Sequence, residues 1–259
     1  MPAAATIPAL LDTLLRADGA RPVVTWVDTG SGARVELSVA TLTNWVAKTG
    51  GLLQDGLDVE AGDRVRLDLG PHWLGVTWSL ACWAVGAVVV PADTAPTDTT
   101  PADTTPVAEV VGEGRQPRTQ ARLVVVGLGP FGGPARQPIP PGALDAGREV
   151  LGHPDHLVPY ETPRPATPAL QTGDGPVDQA GVLARGRARA QRLDLPQRGR
   201  LLTSAAATSA QGLDDLLAAL VTGGALVLAA GSEQLGALDL GELVRRERID
   251  VTATSPGPH

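Results

Sequence analysis

Residue types able to do chemistry are few in this chain and widely spaced. Its four histidines, His72, His153, His156 and His259, never form the HExxH pattern that sets two imidazoles on one helical face toward zinc. His153 and His156 stand three apart in HPDH, but Pro154 between them opposes a helix. A surface loop is expected there, and no metal. The single cysteine, Cys82, supports neither an internal disulfide nor a cysteine zinc site. Inside an apolar run it reads as a small buried hydrophobe. GxSxG does not occur, so no nucleophile elbow is expected. Gly127-Leu-Gly129 begins like a dinucleotide-binding turn, but Pro130 follows and no helical pattern comes after it. The carboxylate pair Asp214-Asp215 reads as helix N-terminal charge interacting with the dipole. None of these residues is expected to be catalytic.

Composition narrows the classes further. The chain has 259 residues, with 43% hydrophobic and 19% charged, ordinary values for a globular protein. That length suits one large domain or two small ones. Twenty-one basic against 28 acidic residues leave a net charge of −7. A binder of nucleic-acid backbones needs a surplus of Lys and Arg, and so does a binder of anionic membranes; neither partner is expected. No stretch approaches the ~20 apolar residues of a membrane span. The first residues lack the basic start of a signal peptide. A cytoplasmic protein is the expectation.

The elements that must position any site follow from periodicity. Residues 7–17 carry Ile7, Leu10, Leu11, Leu14 and Leu15 at helical spacing. Residues 23–27 and 34–37 read as a hairpin. Ser38 is a plausible N-cap for a helix whose stripe is Leu42, Trp45, Val46 and Leu53. A strand over 64–69, a helix over 72–85 that is apolar almost all round and ended by Gly86, and a continuous apolar strand over 87–90 make a βαβ unit. Residues 92–106 repeat Pro, Thr, Asp and Ala, with PADT at 91 and again at 101. They hold no apolar side chain large enough to offset the ordering cost, so a flexible loop is expected. Strands are expected over 107–111 and 123–126, mostly loop over 130–176 with a short helix near 143–151, and a helix over 179–193. Strands over 200–203, 225–228 and 249–254 then alternate with helices over 213–221 and 238–248. Such alternation predicts an α/β protein with a largely parallel sheet flanked by helices.

Several of these segments together resemble the N-terminal part of the acyl-adenylate-forming superfamily, which includes acyl-CoA synthetases. The resemblance rests on Gly56-Leu57, on Gly62-Asp63-Arg64-Val65 and on Gly86-Ala87-Val88-Val89-Val90-Pro91. Residues 200–231 and 246–257 look like that family's next strand, apolar helix and strand. It spans about residues 10–91 and 165–257. The resemblance implies a single domain over 1–259, a truncated form of the family's N-terminal domain. It implies further that residues 37–91 and 200–257 share one continuous sheet.

In that family a Ser/Thr/Gly-rich loop with a following Lys wraps the ATP phosphates, because small residues let backbone N–H groups approach and Lys neutralises charge. The equivalent stretch here is QTGDGPVDQAG. Thr172, Gly173, Asp174 and Gly175 are therefore the vestigial nucleotide-binding candidates. Lys is missing, and Asp174 and Asp178 add negative charge where a triphosphate would bring more. Arg185, Arg189 and Arg192 on the next helix read as a solvated face. Ser209 stands where the family often has His. The family's aromatic-Gly-x-Thr-Glu and Thr-Gly-Asp segments, its hinge and its C-terminal catalytic Lys are absent. The expectation is a catalytically degenerate relative that binds a small molecule or a protein, with no cofactor unless the altered loop still takes ATP or AMP. The alternative is half of a split acyl-CoA ligase, completed by a partner chain. Self-association through an exposed sheet edge is a third expectation.

Overall fold

The structure is a computed structural model, and it describes residues 4–94, 105–232 and 235–253. Most of the expected flexible loop (95–104) and the end of the last expected strand lie outside the described residues, as does His259.

Among the described residues, twelve strands form two sheets rather than one. The first holds β1 (Pro22–Asp28), β2 (Arg34–Ser38), β10 (Arg200–Thr203), β11 (Ala225–Ala230) and β12 (Val251–Thr252), in the order β12-β10-β11-β1-β2. Only the β1–β2 hairpin is antiparallel. The second holds β3 (Arg64–Asp68), β4 (Val88–Pro91), β5 (Ala108–Gly112), β6 (Arg122–Val126), β7 (Leu144–Asp145), β8 (Pro168–Thr172) and β9 (Gly175–Asp178), in the order β7-β6-β5-β3-β4-β8-β9. Only β8–β9 is antiparallel.

The expected α/β class with mostly parallel strands is therefore what the chain adopts, but residues 37–91 and 200–257 do not share a continuous sheet. Strand β3 pairs with β4 and β5 and β4 with β8, whereas β10 pairs with β11 and β12 and β11 pairs with β1. Residues 130–176 are mostly loop with a short helix within 143–151, as expected, but they also contain β7, β8 and the start of β9, which the sequence reading missed. Pro168 and Pro176 masked the hairpin, since proline is tolerated at a strand start or edge but lowers any strand reading.

Helices α1 (Ile7–Asp18), α2 (Val39–Gly51), α3 (Trp73–Ala84), α5 (Gln179–Arg192) and α6 (Ala210–Val221) supply the middle layer, with the short α4 (Ala146–Glu149) beside β6. Strand alternation sends Val65 and Leu67 of β3, and Val24 and Trp26 of β1, into one apolar core with these helices. Helix α7 (Ala237–Arg246) covers the other face of the first sheet through Leu243, against Val27, Leu202, Val227 and Ala229.

Local chemistry explains the ends of the elements. Ser38 accepts the N–H of Thr41 at 3.1 Å and caps α2. Every residue of α3 is buried, as its mostly apolar sequence requires, and its two hydroxyls, Thr77 and Ser79, each donate to a backbone carbonyl. Gly86, at φ +83°, ends it, with Ala87 N–H donating back to Cys82 O at 2.8 Å. The buried indole N–H groups of Trp26, Trp73 and Trp83 each reach a distant backbone carbonyl, at Pro71, Pro130 and Ala169. A strap over 153–160 lies along α2. Lys48 holds it through His153 O and Asp155, both at 2.7 Å, and Gln54 bonds Val158 O and Tyr160 N–H.

Candidate functional site

In parallel α/β sheets, ligands bind beyond the C-terminal ends of the strands. Strands β3, β4, β5 and β8 end on one edge of the second sheet, and there the loop over 204–209, leaving β10 of the first sheet, crosses to meet them. Thr208 accepts Ala92 N–H on its carbonyl at 2.9 Å and Leu69 N–H on its hydroxyl at 3.4 Å. Ser79 donates to Ala207 O at 2.8 Å. Asp93 accepts Ala210 N–H at 3.1 Å, at the start of α6.

Beneath this junction lies a buried charge pair. Arg66 on β3 and Glu109 on β5 are register partners, 3.6 Å apart and almost fully enclosed. The Arg66 guanidinium donates to Thr94 O at 3.0 Å and Ala92 O at 2.7 Å, while its Nε closes no hydrogen bond. Burial pulls its pKa down, and Glu109 opposes that. Glu109 also accepts the N–H groups of Arg118 and Thr119 and the Thr119 hydroxyl. Asp68, at the end of β3, pairs with Arg115. Arg66, Glu109, Asp68 and Arg115 are thus engaged with one another and with the loops around them.

The four candidate residues fall at this same edge, at the tip of the β8–β9 hairpin. Gly173 and Asp174 make a two-residue turn, Thr172 donates its hydroxyl to Gly175 O at 2.7 Å, and Gly175 sits at φ +113°. Asp178 is the N-cap of α5, accepting Gly181 N–H at 2.7 Å. The stretch thus closes on itself and leads straight into the helix.

Two basic groups of α5 are engaged with α6. Arg185 makes a bidentate pair with Asp214, both contacts at 2.9 Å. Arg189 donates to Asp215 at 2.7 Å. Two expectations are corrected here. Arg185 and Arg189 are not a solvated face, and Asp214-Asp215 do more than complement a dipole: the four side chains cross-link α5 to α6. Arg192 is exposed, as expected. Fully buried Asp215 also accepts the Thr203 hydroxyl at 2.8 Å, and Thr203 accepts Ala205 N–H at 3.1 Å. Nothing in local sequence pointed to this relay from the helix pair to the crossing loop; its members lie on three elements. Ser209 caps α6 by accepting Gly212 N–H at 3.1 Å. The chain's one lysine, Lys48, is committed to the strap.

The remaining motifs have structural uses. A Cβ on Gly127 would meet Gly133 O at 2.6 Å and Pro134 O at 2.8 Å, and no helix begins after Gly129. Cys82 is fully buried and its thiol is pushed up by burial. Among the described residues no three His, Cys, Asp or Glu side chains converge as a metal site requires. No helix among them is long and apolar enough to cross a membrane.

Comparison with known proteins decides the kinship. A TIGR03089 family protein of Mycobacterium tuberculosis is 34% identical over 226 residues, 87% of this chain and 89% of that one. The chain belongs to the TIGR03089 family. No protein-family model matches it. Among solved structures, this TIGR03089 chain resembles a Brucella canis acyl-CoA synthetase, with a TM-score of 0.75 and 19% identity over 97% of its length. It also resembles coronafacic acid ligase from Pectobacterium brasiliense (TM-score 0.72, 14% identity) and a Mycobacterium tuberculosis fatty acyl CoA synthetase (0.67, 16%). Its fold is that of one half of the adenylate-forming enzymes: the chain spans 47–50% of those three structures.

Proposed function

We propose that this TIGR03089 chain is a catalytically degenerate form of the adenylate-forming fold, a cytoplasmic module that binds a small molecule or a protein rather than activating an acid. The observation that carries this is the hairpin tip. Where the family loop wraps phosphates, Thr172 to Gly175 form a tight turn whose hydroxyl is already bonded. Asp174 and Asp178 repel a triphosphate, and the chain's lysine is engaged on the far strap. A protein partner or second copy would pair on an exposed edge, of which β2 (RVELS) is the longest among the described outer strands. Thermal unfolding with ATP, AMP and a non-hydrolysable acyl-adenylate mimic tests the reading. A hundredfold excess over Kd would add about 2.7 kcal/mol, and no shift is expected with ATP. Measurable ATP–pyrophosphate exchange with any carboxylic acid would overturn it.

A second reading has one observation in its favour: the chain spans about half the length of the ligases it resembles. On this reading a partner chain supplies the remaining motifs. Its test is co-purification of such a partner together with acid-dependent AMP formation by the pair, and absence of any complex rules it out.

A further inference from the structure

His72 is buried at the seam between the two sheets, on the turn that leaves β3. Its ring centroid lies 4.5 Å from that of Trp26 on β1, in the other sheet, and 5.7 Å from that of Trp73 on α3. The Trp26 indole bonds Pro71 O at 2.9 Å, so the contact is anchored on both sides of the ring. The Nδ1 atom accepts the N–H of Leu74 at 3.2 Å and serves as the N-cap of α3. An accepting Nδ1 leaves the hydrogen on Nε2. That Nε2 is buried and closes no hydrogen bond.

We propose that His72 is an acid-triggered release on the seam: the neutral imidazole caps α3 and carries the Trp26 contact, and protonation expels the ring and uncouples β1 from the turn after β3.

Three geometric facts oppose a proton here. A hydrogen on Nδ1 would point at the Leu74 N–H and abolish the cap. The cation would sit at the positive end of the helix dipole. It would also be enclosed among indole rings, away from water. From β1 the ionised group acting on the ring is Asp28, and the Gly129 carbonyl faces it from the loop after β6; both favour the charged form. The turn over 69–71 and the loop over 127–133 hold no charged residue, and the one ionisable group of α3 is the buried Cys82 thiol. Lys48, on α2, is held on the strap. Burial outweighs the two favourable partners and takes the imidazole pKa down to about 4. This inference does not depend on whether any nucleotide binds.

The test follows imidazole nitrogens by NMR and tryptophan emission in parallel, from pH 7.5 to 3, on the full chain. One histidine should show the Nε2–H tautomer and titrate well below 6.5, and the emission should shift red along the same curve. In His72→Asn, whose side-chain oxygen still accepts at the cap but does not titrate, that shift should vanish. The proposal is overturned if His72 titrates near 6.5, if it protonates with the emission unmoved, or if His72→Asn keeps the same transition. Should His72→Asn fail to fold, the two wild-type curves decide alone.

Discussion

The hydroxyl of Thr172 donates to the carbonyl of Gly175 across a two-residue turn, 2.7 Å away. That hydroxyl is spent within its own hairpin. Thr172→Val should therefore cost about 1 kcal/mol of stability, read by urea unfolding, whether or not ATP is present. A loss that appears only when nucleotide is added would mean the hydroxyl serves a ligand.

Asp215 and Asp214 are neighbours with different weights. Asp215 is fully buried between Arg189 and Thr203, while Asp214 and its partner Arg185 are both partly exposed. Asp215→Asn should lose roughly 3 kcal/mol, because it strands Arg189 in a half-buried site. Asp214→Asn should lose less than about 1 kcal/mol. Equal losses in denaturant melts would refute the assignment of Asp215 as the pivot of the helix pair.

Glycines separate by what surrounds them. A Cβ on Gly212 would stand 1.8 Å from Ala206 O, inside the crossing loop, whereas one on Gly173 meets nothing within 4 Å. Gly212→Ala should displace that loop and destabilise by more than about 2 kcal/mol. Gly173→Ala should be neutral, or stabilising by up to about 1 kcal/mol through the unfolded chain. Calorimetry on the two variants checks the contrast.

Glu247, just after α7, gathers Arg34 at 3.1 Å, Arg246 at 3.2 Å and Arg200 at 3.7 Å. Burial pushes its carboxyl up, but Arg34 and Arg246 more than offset this and hold it below the usual range. The folded state thus binds its proton less readily than the unfolded chain does. The contribution is full above about pH 4.5 and fades as pH falls through the depressed value. Glu247→Gln should cost about 2 kcal/mol at pH 7, and the gap from wild type should narrow in acid. A gap that stays constant from pH 7 to pH 3 would contradict this.

What could be read beforehand was local. The Ser38 cap, the mostly apolar α3 with Gly86 behind it, and the β3-α3-β4 unit are each written within a few adjacent residues. Which strands join which sheet is not: Val24 of β1 pairs with Leu226 of β11, some two hundred residues away, and nothing near either residue encodes it. The β8–β9 hairpin was hidden by Pro168 and Pro176. Of the candidate stretch, the acidic character is legible in Asp174 and Asp178. Its closure by Thr172, the Arg189–Asp215 relay and the Arg66–Glu109 pair needed three-dimensional neighbours. One signal was overlooked: a histidine between a strand and an apolar helix stands where an N-cap is expected, and His72 fills that role.

Lys48 carries the chain's one side-chain amine, and it is the clasp that holds the strap to α2. Acylating reagents and amine-directed cross-linkers therefore have a single side-chain target in the described fold. Turning that ammonium into an amide removes the charge that pairs with Asp155 and leaves a single N–H for the His153 carbonyl, so labelling chemistry chosen to report on this protein would also loosen residues 153–155.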